Sequence, residues 1–393
     1  MGARARRAGQ RRRAIMLSGV FALAIAAGAW VAFGRAGGRA VRHTRAHAVA
    51  APLHRRSEGH SVRLVVEASG DLLIHSAIFE RALVLGGGSH YNFAPLFGRI
   101  KPYIRRADLP LCHVETPMTP TPPTGYPVFN TPLELATAIR QTGWRACSTA
   151  ATHTLDQGQT GVDDTIRALD SAGVLHTGSF SSAAGQRTPL IMTVKGVRVA
   201  FLAYTELTNG IPSPHPWSVN RASAAQILSD AHRARMHGAK VVIVNLHWGD
   251  EDVIQPSSFQ LGLAEKLTRS PDITAIVGQH VHVVQPIRIL NGKLVVFGEG
   301  NLISNQTSAC CPTASQDGII VLLTISVGSR GAHVTFIHYV PIWVRHPDYV
   351  VLPAGSAWRT DPADAADLRA SYERTVAVVG RGPRIQPIPG RLP

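Results

Sequence analysis

Short apolar runs alternate with amphipathic stretches along the chain from residue 62 onward, a pattern typical of strands and helices in turn. The runs predicted as strands lie at 62–69, 108–115, 144–151, 197–205, 240–248 and 272–282. The stretches with helical periodicity lie at 132–143, 160–173, 221–238 and 258–270. Because strands and helices follow one another in this way, the sequence predicts an α/β protein with a largely parallel sheet and helices on its outside.

The pattern changes after the last of these strands, where apolar runs follow one another without intervening helices. Asn291-Gly292, placed between two such runs, indicates a tight hairpin. Further strands are predicted at 319–327 and 333–344. We expect this antiparallel group to form a second sheet that packs on the first.

The N-terminus carries the pattern of a membrane signal. Residues 14–33 are uncharged and proline-free, and they follow six arginines within positions 1–13. At about 1.5 Å per residue this run spans about 30 Å, enough to cross the hydrocarbon core of a bilayer. It is longer than the roughly 7–15 apolar residues of a cleavable signal, so we favour an uncleaved anchor over a cleaved signal peptide. The arginines predict a cytoplasmic arm, and 34–60 is expected to tether an extracytoplasmic domain to the cell membrane.

Most of the net charge of +15 lies in residues 1–60. Residues 1–60 hold 12 Arg and one acidic residue, whereas the rest of the chain has 28 Lys and Arg against 24 Asp and Glu. A body so evenly charged does not favour nucleic acid, and we expect no such partner. The four cysteines, Cys112, Cys147, Cys310 and Cys311, have neither CxxC nor zinc-site spacing, and the sequence leaves their pairing open.

Acidic residues and histidines follow the predicted strands at the points where those strands end. They are Asp71, His113, Glu115, His153, His247, His280 and His282. Because the carboxyl ends of parallel strands meet at one edge of a sheet, these side chains are expected to lie together. Carboxylate and imidazole groups suit divalent ions such as Mn, Fe, Zn or Mg, so the sequence predicts a site for one or two of them. His280 and His282 are two positions apart and would point the same way on an extended backbone.

The order and spacing of several sequence blocks resemble the CapA (poly-γ-glutamate capsule biosynthesis) family. The matching blocks are ASGDLLIH (68–75), CHVETP (112–117), AATHTLDQGQTGVDDTIRALDSAGVLHTGS (150–179), VNLHWGDE (244–251), AIVGQHVHVVQP (275–286) and FGEGNLI (297–303). The resemblance covers roughly 62–345 and implies a metallophosphatase-like α/β/β/α sandwich of two mixed sheets flanked by helices. Residues 346–393, rich in Pro, Ala and Arg, are then expected to be a C-terminal extension with a helix near 362–378.

The resemblance also implies which side chains bind each of the two ions. Asp71 and His282 would bind a first ion, and Glu115 takes the place of the acid that bridges two ions. His247 and His280 would bind the second ion. In such a two-metal site the ions activate a water between them.

The resemblance gives His153 the role of protonating the leaving group. Asp156, three residues later, either orients that imidazole or caps the following helix. The sequence departs from the family at one ligand position, where an amide is replaced by Thr152, a much poorer ligand. Leu73 stands where ordinary metallophosphatases have a histidine for the first ion, which CapA-like proteins in general lack. His113 is positioned to compensate, because imidazole is a better ligand than an amide. We therefore expect one tightly and one loosely bound ion.

The function implied by the resemblance is the synthesis of a capsule or another cell-envelope polymer of the poly-γ-glutamate type. We expect an anchored, metal-dependent hydrolase or transferase that acts on such a polymer, with other capsule-synthesis proteins as partners. Trp248, Glu251 and Asn301 are interpreted as substrate contacts. The alternative is a non-catalytic binding or export partner of a capsule-synthesis complex with a degraded metal site.

Overall fold

A computed structural model describes residues 61–389 of the chain. The predicted cytoplasmic arm at 1–13, anchor at 14–33 and tether at 34–60 lie outside the described residues. Within the described part, no helix combines the length and the apolar character needed to cross a membrane.

The strands and helices alternate over most of the chain. The strands are β1 (Val62–Ser69), β2 (Asp71–Leu72), β3 (Leu109–Val114), β4 (Ala146–Ser148), β5 (Leu175–Thr177), β6 (Leu190–Val194), β7 (Val197–Thr205), β8 (Val241–His247), β9 (Ala275–Gln279), β10 (Ile287–Leu290), β11 (Lys293–Val296), β12 (Asn301–Ile303), β13 (Asp317–Gly328), β14 (Gly331–Val344), β15 (Val351–Pro353) and β16 (Ile385–Pro387). The helices are α1 (Ser76–Leu85), α2 (Lys101–Ile104), α3 (Glu134–Thr142), α4 (Gly158–Ser171), α5 (Ala183–Arg187), α6 (Ala224–Met236), α7 (Ser258–Thr268), α8 (Ala354–Ala357) and α9 (Ala365–Val379).

The strands form two sheets, each of them mixed. The first has the order β12-β2-β3-β1-β13-β14-β15, with β4 and β5 continuing from β3 and with β16 paired to β14. The second has the order β10-β11-β9-β8-β7-β6. In the first sheet β2, β3, β4 and β5 each pair in parallel with the next, and in the second sheet β7, β8 and β9 do the same. β13 and β14 are antiparallel. The predicted α/β architecture of two mixed sheets is confirmed.

The distribution of strands between the sheets differs from the prediction. The hairpin at Asn291-Gly292 joins β10 to β11, and β11 pairs with β9, so the hairpin extends the second sheet. The long β13–β14 hairpin instead pairs with β1 in the first sheet. The antiparallel group is therefore divided between the two sheets, because hydrophobic periodicity identifies strands but carries no information about their distant partners.

One apolar core lies between the sheets. Val66 and Leu111 of the first sheet share a buried cluster with Val199, Ile243 and Val277 of the second. Helices α1, α3 and α4 cover the outer face of the first sheet, and α6 and α7 cover that of the second. This layering places the carboxyl ends of the parallel strands of both sheets at a common edge.

The segment after residue 345 belongs to the same compact unit as the rest of the described chain. β15 and β16 both pair with β14 in the first sheet. Arg374 of α9 binds Asp317 through two bonds of 2.8 Å. The segment predicted as a C-terminal extension is thus an integral part of the fold.

A buried disulfide joins Cys112 to Cys147, which lie opposite each other on the neighbouring strands β3 and β4. The bond ties the strand that carries His113 to the strand that leads into Thr152 and His153. Cys310 and Cys311 are free.

Replacing Cys112 and Cys147 together with alanine is expected to lower the free energy of unfolding by about 3–4 kcal/mol, because the disulfide restricts the unfolded chain. The bond spans 35 residues of sequence. Urea unfolding of the double variant and of the wild type measures the difference, with Cys310→Ala/Cys311→Ala as the matched control. Equal unfolding midpoints for the wild type and the Cys112/Cys147 variant would contradict the expectation.

Candidate metal centre

Acidic side chains from the first sheet meet histidines from the second at the carboxyl ends of the strands. Asp71 begins β2 and lies opposite His113 of β3, and Glu115 directly follows β3. His247 ends β8 opposite the last residue of β9, and His280 directly follows β9. All five side chains are almost completely buried.

Four overlapping groups of three side chains bring their ligand atoms to within 4.8 Å of one another. The groups are Asp71, Glu115 and His282; Glu115, His247 and His280; Asp71, His113 and His247; and Glu251, His280 and His282. The first two groups match the ligands predicted for a first and a second ion, and Glu115 is common to both. The structure thus brings the predicted ligands together in a cluster compatible with divalent metal, while their binding of ions stays a prediction.

The closest contacts within this cluster are between ligand atoms themselves. Nε2 of His113 is 2.9 Å from Nδ1 of His247 and 3.6 Å from Oδ1 of Asp71. Nε2 of His247 is 3.6 Å from Oε1 of Glu115. Nδ1 of His282 is 3.5 Å from Oδ2 of Asp71. Separations of this size let one ion contact two or three of the side chains at once.

Several ligand atoms are buried without a hydrogen-bond partner among the described residues. They are Nδ1 of His113, Oε2 of Glu115 and Nε2 of His280. A buried polar atom left without a partner costs about 1–3 kcal/mol. The unpartnered oxygen of Glu115 and the unpartnered nitrogen of His280 therefore fit a divalent ion, whereas His113 faces the cluster through its other ring nitrogen, Nε2.

Three histidines of the cluster, His113, His247 and His280, are held in the form that binds metal. Burial lowers the pKa of His113 to about 4 and that of His280 to about 3. Burial, together with the neighbouring His280, also lowers the pKa of His247 well below its usual value. All three imidazoles are consequently neutral at pH 7, and neutral imidazole is the ligand form.

The carboxylates of Asp71 and Glu115 favour a positive charge within the same cluster. Burial and the nearby Asp71 raise the pKa of Glu115 well above its usual value. Burial opposes protonation of His282, but the carboxylates of Glu115 and Asp71 outweigh it and raise the pKa of His282 to about 10. In the metal-free protein a proton on His282 thus balances part of the acidic charge that an ion would otherwise neutralise.

The backbone that carries His280 and His282 is a turn and not an extended strand. Their φ angles are 93° and 58°, in the left-handed region that side chains other than glycine rarely adopt. The turn lets the backbone N–H of His280 donate to the Asp71 carboxylate at 3.2 Å. The extended backbone predicted for these two residues is wrong, but their imidazoles still bring ligand atoms to within 4.8 Å of each other, by a turn that is typical of functional sites.

His153 and Asp156 form a pair beside the metal-ligand groups and belong to none of them. Nδ1 of His153 is 2.8 Å from Oδ2 of Asp156, which also accepts the backbone N–H of Phe129 at 2.7 Å. The Phe129 ring packs edge-on against the imidazole. Helix α4 begins after Gln157 without any side-chain cap, so Asp156 orients His153 and does not cap the helix.

Thr152 lies on the side of the cluster predicted for the second ion. Its hydroxyl is 3.0 Å from Nε2 of His247 and 3.3 Å from Nδ1 of His280. Leu73 is buried in the core. The predicted ligand Thr152 is therefore in place, whereas Leu73 offers no donor.

The three predicted substrate contacts have different surroundings. Glu251 is exposed, and its carboxylate lies within 4.8 Å of ligand atoms of His280 and His282, at the mouth of the cluster. Trp248 is fully buried, stacks on Phe297 and donates its indole N–H to the backbone oxygen of that residue at 2.9 Å. Trp248 is consequently a core residue, and its position does not support a substrate contact.

Asn301 is also fully buried and has no surface to offer a substrate. Its Oδ1 is 3.1 Å from Nδ1 of His282, and its amide nitrogen donates to Gln306 and to the backbone of Ser315. It therefore orients a ligand, a role that groups around metal sites commonly play. The block FGEGNLI alone does not show whether Asn301 contacts a substrate or orients a ligand. The buried position of Asn301 at the start of β12 decides for the second role.

Sequence reasoning missed two residues near the cluster. Glu299 is fully buried and accepts a 2.6 Å hydrogen bond from Gln279, the residue before His280. Asn209 reaches the His153–Asp156 pair from the loop after β7. The block FGEGNLI contains Glu299 and could have marked it, whereas no motif surrounds Asn209.

Glu299→Gln is expected to flatten the dependence of stability on pH above the ordinary titration range of a carboxyl group. Burial raises the pKa of Glu299 well above its usual value, so the folded protein holds a proton that the unfolded chain has released. Stability from this group is full at low pH and falls as pH rises toward the folded pKa, by up to about 1.4 kcal/mol per pH unit.

The measurement is urea unfolding of wild type and variant at pH values from 5 to 9 in chelator. All histidines are common to both proteins, so the difference between the two pH dependences reports Glu299. Parallel pH dependences in the two proteins would show that Glu299 is not the source of the slope.

Two mixed sheets packed face to face, with acidic residues and histidines clustered at their strand ends, define an α/β protein with a candidate metal centre at the edge of its sheets. The chain belongs to the bacterial capsule synthesis protein PGA_cap family, whose family model matches residues 65–306. The match covers the predicted ligands and the His153–Asp156 pair.

Curated relatives carry names from capsule and polymer synthesis. The chain is 27% identical over 274 residues to the capsule biosynthesis protein CapA of Bacillus anthracis, an alignment that covers 67% of this chain and 64% of the relative. It is 25% identical over 221 residues to the PGA biosynthesis protein CapA of Bacillus subtilis, with 54% and 57% covered. A probable polyglutamine synthesis accessory protein of Mycobacterium tuberculosis is 26% identical over 186 residues, with 43% and 47% covered. The chain thus spans less than two thirds of the length of these relatives.

Two solved structures resemble this chain in their backbone fold at low sequence identity. The NAD nucleotidase of Haemophilus influenzae is 14% identical with a TM-score of 0.46, and 84% of this chain and 64% of that chain are covered. The calcineurin-like phosphoesterase YfkN of Bacillus subtilis is 13% identical with a TM-score of 0.47, and 80% and 100% are covered. Both similarities are distant.

Proposed function

We propose that this protein is a metal-dependent hydrolase or transferase that acts in the synthesis of a capsule or cell-envelope polymer of the poly-γ-glutamate type. The observation that carries the proposal is the buried cluster of acidic and imidazole ligands, several with orphaned donor atoms, next to an oriented His–Asp pair. The names of the curated relatives supply the biological setting. Other capsule-synthesis proteins are the proposed partners.

The proposed ligand set has two parts. Asp71, Glu115 and His282 would hold one ion, and Glu115 with His247 and His280 the other. Divalent ions there, such as Mn, Fe, Zn or Mg, would supply Lewis-acid activation of a water nucleophile and charge neutralisation for the substrate.

His113 is proposed to replace the ligand capacity that Leu73 and Thr152 do not provide. It lies on the strand next to Asp71, and its Nε2 faces both the Asp71 carboxylate and His247. Its second ring nitrogen is buried and unpartnered. Because the substitutions affect the two ions unequally, we propose that one ion binds tightly and the other loosely.

The residues outside the ligand set would handle the leaving group. His153 is held through Nδ1 by Asp156, so Nε2 is the ring atom that faces away from the pair and can deliver a proton. Of the three predicted substrate contacts, Glu251 is the exposed one and can reach a substrate at the edge of the cluster. Phosphoester hydrolysis suits this arrangement best, and amide hydrolysis in a glutamyl polymer is the second bond type to test.

A non-catalytic role in a capsule-synthesis complex is the competing function. Buried Leu73 and the hydroxyl of Thr152 favour it, because each weakens the ligand set. Hydrolysis assays separate the two functions. The purified full chain is incubated with Mn²⁺ and either bis(p-nitrophenyl) phosphate or poly-γ-glutamate, beside His280→Ala and the exposed-histidine control His232→Ala. Turnover in wild type and control but not in His280→Ala supports the enzyme, whereas equal traces in all three support the binding partner.

The location of the protein is part of the proposal. The apolar run at 14–33 is proposed to anchor the chain in the cell membrane with the domain outside the cytoplasm. The buried disulfide agrees with an oxidising compartment. Protease treatment of intact protoplasts checks the orientation, and we expect the domain to be degraded while a cytoplasmic marker survives.

A further inference from the structure

The loop between β7 and α6 brings an asparagine to the His153–Asp156 pair. Nδ2 of Asn209 donates to Oδ1 of Asp156 at 3.0 Å and to the backbone oxygen of Pro127 at 3.0 Å. Both partners only accept hydrogen bonds, so the amide nitrogen, and not the amide oxygen, must face them. Each of the two amide protons therefore has one acceptor.

This contact completes the hydrogen bonding of the Asp156 carboxylate. Oδ2 accepts from the His153 ring and from the backbone of Phe129, and Oδ1 accepts from Asn209. The three donors come from three different segments of the chain. Rotation of the carboxylate would break bonds to all three segments, so the plane of Asp156 is fixed.

Fixing the carboxylate also fixes the imidazole. Nδ1 of His153 lies 3.4 Å from Nδ2 of Asn209, and these two nitrogens are both donors when His153 gives its Nδ1–H to Asp156. Because Asn209 turns its amide nitrogen toward His153, it offers the Nδ1 proton no acceptor, and Asp156 accepts that proton. The imidazole consequently keeps Nδ1–H toward Asp156 and Nε2 toward the reacting bond.

The loop is built to hold Asn209 in place. Asn209 has φ 52°, in the left-handed region that asparagine tolerates better than most residues. On either side, the Thr208 hydroxyl donates to the backbone of Ile211, and Arg221 binds both Thr208 and the backbone of Glu206. An uncommon backbone conformation that is tied down next to a reactive pair is typical of functional positions.

We propose that Asn209 is a positioning residue that holds the Asp156 carboxylate and, through it, the His153 imidazole in line with the leaving group. The inference rests on the proposed function, in which His153 protonates the leaving group. In that step the proton on Nε2 passes to the leaving oxygen as its bond to phosphorus breaks and the bond from the water nucleophile forms. The imidazole is left neutral with Nδ1–H still donated to Asp156.

The kinetic test compares Asn209→Ala and Asn209→Asp with wild type in the Mn²⁺-loaded full chain. The substrates are a p-nitrophenyl and an alkyl ester of phenyl phosphate. Alkoxide is a poor leaving group and needs the proton, so we expect kcat for the alkyl ester to fall about 10-fold in Asn209→Ala and about 100-fold in Asn209→Asp. The aspartate is worse because it cannot donate and repels Asp156. We expect the p-nitrophenyl ester, KM and metal content to change less than about 2-fold.

Ser213→Ala is the matched control, because it removes a hydrogen bond to the backbone of His215 in the same loop and touches neither Asn209 nor Asp156. It is expected to leave the ratio of rates on the two esters at the wild-type value. Equal losses on both esters in Asn209→Ala, or the same change of ratio in Ser213→Ala, would overturn the proposal.

A second readout does not depend on activity. In the metal-free full chain labelled with ¹⁵N-histidine, the His153 signals, assigned by their loss in His153→Gln, should report a proton on Nδ1. In Asn209→Ala we expect these signals to shift toward a mixture of tautomers, and in Ser213→Ala to stay unchanged. Unchanged signals in Asn209→Ala contradict the inference. Absence of hydrolysis in wild type with the expected tautomer shift contradicts the proposed function and leaves the positioning by Asn209 standing.

Discussion

His247→Ala is expected to reduce metal-dependent hydrolysis by about 10³-fold or more and to remove at least one equivalent of bound metal. His247 contributes to two of the four ligand groups and touches His113, Glu115 and Thr152. Lewis-acid stabilisation is worth several kcal/mol, and each 1.4 kcal/mol corresponds to a factor of ten in rate. Steady-state kinetics and metal analysis by mass spectrometry on the same preparation check both parts of the expectation.

The exposed histidine variant His232→Ala serves as the control for this experiment, since its side chain lies 67% exposed. Circular dichroism establishes that both variants remain folded. A His247→Ala protein that keeps its metal and its rate would remove this residue from the centre and leave the proposed second ion without its ligands.

His153→Gln is expected to lower kcat by about 10²–10⁴-fold on substrates with poor leaving groups while the bound metal stays at the wild-type level. The reason is that His153 lies outside every ligand group but is oriented by Asp156. An activated aryl ester departs without a proton and should be hydrolysed at close to the wild-type rate. The ratio of rates on alkyl and aryl esters, measured at saturating Mn²⁺, reports the effect.

This expectation separates general acid catalysis from ligation. Loss of metal from His153→Gln would make the residue a ligand, and an equal loss on both esters would make its role structural. Asp156→Asn provides a graded companion, because it keeps the shape of the side chain but offers its partners a neutral group in place of a carboxylate. It should fall between wild type and His153→Gln on the alkyl ester.

The sequence predicts the cluster because the end of a strand can be recognised from a few neighbouring residues. A strand that ends with a polar residue at the sheet edge is visible in a few residues, and Asp71, Glu115 and His247 all follow this rule. Buried strands such as β7 and β8 likewise appear as uninterrupted apolar runs. Convergence of the side chains then follows from the parallel direction of the strands.

Features that depend on distant partners are not accessible in the same way. The division of the late hairpins between two sheets depends on β13 pairing with β1, more than 200 positions away along the chain. Trp248 follows His247 directly, yet it points into the core against Phe297 because successive strand side chains face opposite sides. The position of His247 at the metal centre therefore does not predict the position of Trp248.

Loop geometry is the other source of differences. The left-handed turn at His280 and His282 and the approach of Asn209 to Asp156 depend on hydrogen bonds made after folding. Neither histidine position is a glycine, so the sequence offers no sign of the unusual backbone there, and Asn209 indicates a turn but not the residue that it contacts. Such positions are where sequence reasoning commonly fails at functional sites.

Anomalous diffraction from crystals of the protein soaked in MnCl₂ is the most direct measurement of whether this chain carries a metal centre. The prediction is a strong peak within bonding distance of two or three side chains of the cluster, and a weaker one that shares Glu115 with it. Data collected after soaking in chelator should lose both peaks. Crystals that diffract well and bind manganese only elsewhere, or nowhere, would contradict the account.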